Sequence, residues 1–119
     1  MADEQVQSVY DLLKSQYGVA VTFGENRQNT SLGTSSLKIA NNDPRRVSLV
    51  IVNLSSNVVY VTPNSAAAST AGIRLNSSGG SVSMSWQSDF LMPSLEWHGI
   101  ASSSSSQIYV IETLIRGKV

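Results

Sequence analysis

Cysteine is absent from this 119-residue chain. That excludes disulfides, thiolate metal sites and a cysteine nucleophile, and leaves the compartment open. Charge is scarce as well: charged residues make up 13% of the chain, about half the usual ~25%. The 8 Lys and Arg balance the 8 Asp and Glu, so there is no basic excess to neutralise phosphates and no nucleic-acid partner is expected. No apolar run approaches the ~20 residues that cross a bilayer. The opening MADEQVQ is too acidic and polar for a signal peptide, so neither a membrane partner nor an export leader is expected. What remains is a polar, nearly neutral surface with little repulsion between copies, which suits a subunit that packs against others.

Serine and asparagine take the place of the missing charges, and the apolar residues fall in short runs. The longest is RVSLVIVNLSSNVVYVT, Arg46 to Thr62. Val47, Leu49 and Ile51 alternate with Val50, Val52 and Leu54, and Val58 to Val61 follow the polar break Ser55-Ser56-Asn57. Two β-branched runs around a short Ser/Asn loop predict a central hairpin covered on both faces. Leu49, Ile51, Val59, Val61, Val110 and Ile111 are the expected core.

Ahead of it, Val6, Val9, Tyr10, Leu13 and Tyr17 recur at helical spacing. They predict a helix over Glu4 to Tyr17, with Asp3 as N-cap and Gly18 as stop. Its stripe either covers the chain's own sheet or docks on a neighbouring subunit. Residues 1–18 thus read as a helix or arm, and 19–119 as a single β-domain. Val19 to Phe23 predicts the first strand. The polar stretch Glu25 to Ser36 reads as a long loop or arm able to order on a neighbour, and Leu37 to Ala40 as a brief strand. Arg45 and Arg46 open the central run, either as a solvated strand entrance or in a salt bridge or anion contact at a subunit boundary. Ile73 to Leu75, Ser81 to Trp86, Leu95 to Ala101 and Ile108 to Ile115 complete the strands, with Val82, Met84 and Trp86 on one buried face. Arg116 to Val119 reads as a loose tail. Short strands separated by turn signals predict a mainly β domain, an antiparallel β-sandwich, jelly roll or small barrel, with one N-terminal α-helix.

Chemistry is thin. His98 is the single histidine; on a strand it shares a face with Glu96 while Trp97 takes the other, so Trp97 is the core candidate and His98 a surface or boundary residue. No third or fourth ligand matches a metal site around it. Ser78-Gly79-Gly80-Ser81 lacks a phosphate-loop lysine. Tyr60, Trp86, Trp97 and Tyr109 could form a platform for sugars or bases, but their apolar strands favour core packing. No catalytic residue, metal or cofactor is expected.

The order RRVSLVIVNLSSNVVYVTPN, AGIRL, a glycine turn, LEWHGIA, a serine loop and IYVIETL, from Arg45 to Ile115, resembles small virion structural proteins of tailed bacteriophages. The resemblance implies an antiparallel sandwich or jelly roll that acts by protein–protein binding, best matched by a capsid cement or decoration subunit. It also implies a virion location after synthesis in the host cytoplasm. The partners would be copies of itself, as a trimer or other cyclic oligomer, and the major capsid protein or other virion proteins. A tail, neck or fibre component with a host-surface or glycan-binding β-domain is the alternative. From the residues themselves, the candidate subunit interface is Val6, Val9, Tyr10, Leu13, Tyr17, Arg45 and Arg46.

Overall fold

The computed structural model describes residues 8–118. Helix α1 spans Val9–Tyr17 and is followed by β1 (Val19–Glu25), β2 (Ser31–Leu32), β3 (Leu37–Ala40), β4 (Arg46–Asn53) and β5 (Val59–Pro63). Then come β6 (Ile73–Leu75), β7 (Ser81–Ser85), a short helix α2 (Trp86–Asp89), a 3-10 turn (Met92–Ser94), β8 (Trp97–Ala101) and β9 (Ser106–Lys118). One antiparallel sheet runs β1-β9-β4-β7, with β2 also pairing β9, and the other runs β3-β8-β5-β6. Leaving β2 aside, every link between successive strands crosses from one sheet to the other except β5–β6. That is the winding of a jelly roll, an antiparallel ribbon wrapped around one core.

The core lies between the sheets. Leu49 and Ile51 from β4 and Val110 from β9 meet Ile39, Val59, Val61 and Trp97, all with no exposed surface. Of the expected core, Leu49, Ile51, Val59, Val61 and Val110 are buried, while Ile111 faces outward and is half-buried. Trp97 keeps its indole N–H satisfied on the Met92 carbonyl at 3.0 Å, as a buried polar tip requires. Beside it, a Cβ on Gly99 would stand 2.8 Å from Leu32 Cδ1. A larger residue there would push the Leu32 side chain aside, so the glycine gives the β2 leucine its close seat on β8.

Five expectations change. The helix starts at Val9, where the Ser8 hydroxyl accepts the Asp11 N–H at 3.1 Å; Asp3, Glu4 and Val6 lie outside the described residues. Gly18 ends it in the left-handed conformation, φ 71°, as expected. The central hairpin is instead an arch: β4 and β5 lie in opposite sheets. Asn53 makes it so. Its fully buried amide donates to the carbonyls of Asn57 (2.7 Å), Leu75 (3.1 Å) and Asn76 (3.1 Å), and its oxygen accepts from Ser55 N and Oγ. These bonds turn the chain across the core rather than back along β4. The polar stretch from Glu25 to Ser36 is held by its own domain: Leu32 is buried, and Asn29 Nδ2 donates to the Lys38 carbonyl at 2.7 Å. Finally, Trp86 leaves the strand to open α2 and is exposed, and Arg116 to Lys118 of the expected loose tail form the end of β9, Val119 lying outside the described residues.

At one end of the molecule β9 outruns β4, whose pairing stops at Leu114, and Gly117–Lys118 pair β1 alone at Val19–Ala20. Helix α1 leads into this ribbon, with Gly18 alone between it and β1. The body is accordingly long, 57 × 25 × 22 Å.

Candidate interaction surface

Arg46 and Asn53, the two ends of β4, are both buried polar hubs. Arg46 is 3% exposed. Its Nε donates to Glu112 Oε1 at 2.8 Å, Nη1 to the carbonyls of Pro93 and Leu95 at 3.3 and 3.2 Å, and Nη2 to the Asn41 carbonyl at 2.9 Å. The planar fork of arginine suits such a convergence of acceptors. The guanidinium of this candidate interface residue is thus engaged within the chain, as a tie between β4, β9 and the segment before β8. Arg45 points to solvent and donates to Asp43 Oδ1 at 3.4 Å. Burial pushes the Asp43 carboxyl up, but the Arg45 N–H and guanidinium outweigh it and hold the group below its ordinary value. Val9, Tyr10, Leu13 and Tyr17 lie on α1 at spacings that share one helix face.

What Arg46 supports is the segment from Trp86 to Ser94. Three large apolar residues there are exposed: Trp86 (48%), Phe90 (79%) and Leu91 (72%). Phe90 holds φ 56° and ψ −114°, a region that bulky residues rarely adopt. Both flanks are fixed. Asp89 Oδ2 accepts the Ser85 N–H at 3.0 Å on one side. On the other, the buried Pro93 and its neighbours are gripped by Arg46 and Trp97. The alternation through Trp86 made this segment read as strand. The signal against it is Gln87-Ser88-Asp89, where the apolar period stops, with Asp89 placed to reach back to the Ser85 N–H.

Two polar features complete the surface. On the outer face of β8, His98 Nε2 lies 2.8 Å from Glu96 Oε2, and Lys38 Nζ of β3 lies 3.5 Å from Glu96 Oε1. The His98 bond is the largest effect on the Glu96 carboxyl; burial opposes it, and the charges of Lys38 and His98 add to the bond to hold the group below its ordinary value. The shared face of Glu96 and His98, opposite Trp97, is as expected. A shallow groove of about 510 Å³ crosses the outer face of the second sheet, lined by Val58, Tyr60, Ala68, Ser69, Ile100 and Ser102 among others. Among the described residues no three of His, Asp and Glu converge as metal ligands, and no helix is long and apolar enough to cross a membrane. Comparison with protein-family models, curated proteins and solved structures finds no match to the chain.

Proposed function

We propose that this chain is a structural virion protein of a tailed bacteriophage, specifically a capsid cement or decoration subunit that stabilises the head by protein–protein binding and performs no catalysis. The observation that carries this reading is the Trp86–Leu91 segment. A rigidly supported cluster of large apolar side chains on a low-charge surface is the mark of a contact made with another protein. The sequence resemblance and the jelly-roll winding, which recurs in capsid proteins, point the same way. Fold alone would not, because one architecture hosts many functions. Many copies of a modest contact stabilise a shell strongly through multivalency.

The test is the particle. Heads lacking this protein are expected to rupture at lower temperature than complete heads, and adding the purified protein back should restore them. A W86S/F90S variant should restore them poorly. Unchanged particle stability would exclude cementing. The second reading, a tail or fibre module that binds host glycans, is favoured by the groove beside Tyr60, where an aromatic ring and the hydroxyls of Ser69 and Ser102 stand together. It requires Y60A to abolish binding to host cells.

A further inference from the structure

A sheet edge left open recruits another strand, and proteins guard such edges with charge, proline, bulges or brevity. Leaving aside β2, which is only 2 residues long, three of the four outer strands here are guarded. β1 carries Glu25 and a register shift at Ala20/Val21, and β3 carries Lys38 and a shift between Lys38 and Ala40. β6 is only 3 residues long and includes Arg74. The fourth, β7, reads SVSMS and pairs β4 without interruption. It has no charge, no proline and no bulge.

The direction of its backbone groups follows from two hydrogen bonds. The Asn53 N–H donates to the Gly80 carbonyl at 2.8 Å, so Gly80 faces β4. Alternation along an antiparallel ladder then turns Val82 and Met84 toward β4 and Ser81, Ser83 and Ser85 outward. The Ser85 N–H bears this out, since it is taken by the Asp89 carboxylate at 3.0 Å. Asp89 closes that end of the edge. Ser81 and Ser83, both exposed, present their N–H and C=O groups to solvent.

We propose that β7 is a self-association edge, two copies of this chain pairing their β7 strands antiparallel about a two-fold axis at Val82. This register sets Ser81 of each copy opposite Ser83 of the other, so every open donor and acceptor of the edge finds a partner and Asp89 keeps its bond. Serine meets serine on the outer face. On the inner face, the half-buried Val82, already packed against the core, meets its own equivalent. The neutral edge offers no repulsion, and a self-complementary patch is what a two-fold contact needs. The short ladder alone falls below the ~1,000 Å² of a stable interface. Past Ser85, however, Trp86 and Phe90 of each copy come beside the small-residue turn Ser77–Gly80 of the other and add apolar area. The β7 ladder rests on Ser81 and Ser83 and stands without the virion reading, whereas Trp86 and Phe90 are the residues that reading also uses.

Amide exchange at Ser81 and Ser83, followed by NMR at increasing protein concentration, tests it. In the wild type both amides should slow by about tenfold or more as the protein is concentrated, because pairing protects them. S81K/S83K sets lysine opposite lysine and should abolish the protection. S81E/S83K sets glutamate opposite lysine in this register and should retain it. Concentration-independent exchange in the wild type overturns the proposal, whatever mass light scattering reports. So does an equal loss of protection in both folded variants. If a variant fails to fold, the wild-type result alone decides.

Discussion

Arg46 is the residue through which the buried framework reaches the surface segment. Replacing it with alanine takes the counter-charge from Glu112, which keeps only the Asn26 amide at 3.3 Å, and leaves three carbonyls without the guanidinium donor, in a place where water cannot fully compensate. Breaking a buried pair in this way costs about 3 kcal/mol or more. R46A should show that loss as a lower urea midpoint, and the Trp86 fluorescence should change with it. Glu96 acts in the opposite regime, on the surface. Its folded carboxyl titrates below its unfolded value, so its contribution to stability is present above the unfolded value and is lost as pH falls through the folded one. E96Q should therefore flatten the acid limb of the stability profile and lower neutral stability by the same small amount, small because solvent screens the half-buried group. Urea midpoints measured across the acid range check this.

Among the elements, strands were legible and their partners were not. The alternation of Val47 to Val52 and the apolar run of β9 identify strands whichever sheet they join. The burial of Leu49 and Ile51 followed from their place in the middle of an apolar strand, and that of Trp97 from its parity against Glu96 and His98. Whether β4 turns back on itself or arches across the core depends on what the Asn53 amide finds, and its acceptors at Leu75 and Asn76 are far off in sequence. Leu32 was hidden for a similar reason: one leucine among polar residues gives no period, and its place depends on the missing side chain of Gly99. Trp86 looked like core because apolar content cannot tell a buried strand from an exposed contact. With Ile51 and Val110 both fully buried, I51A and V110A are each expected to cost about 2–4 kcal/mol, read as a drop in the denaturant midpoint at unchanged slope.

For the molecule as a whole, the body is 57 Å long against a cross-section near 25 × 22 Å, and α1 joins the two-stranded β1–β9 ribbon that runs past the end of β4. A helix this short is marginal in water without a surface to lie on. We expect Y10S/L13S to weaken assembly more than it destabilises the sandwich, as judged by sedimentation and thermal melting of the same samples. If the variant assembles normally and melts lower, the stripe covers the chain's own sheet.

The central place of β9 also bears on how the chain comes to be folded while it is being made. β9 lies between β1 and β4, yet it is the last described strand to leave the ribosome. Until it emerges, the first sheet has lost its middle, and β1 and β4 have no common neighbour to bridge them. Since β4 and β5 form no local hairpin, few short-range contacts are available to hold the nascent chain meanwhile. Such a topology folds late and slowly, on the millisecond-to-second scale typical of β-sandwiches. During that interval the apolar strands stay open to other chains in the same polysome.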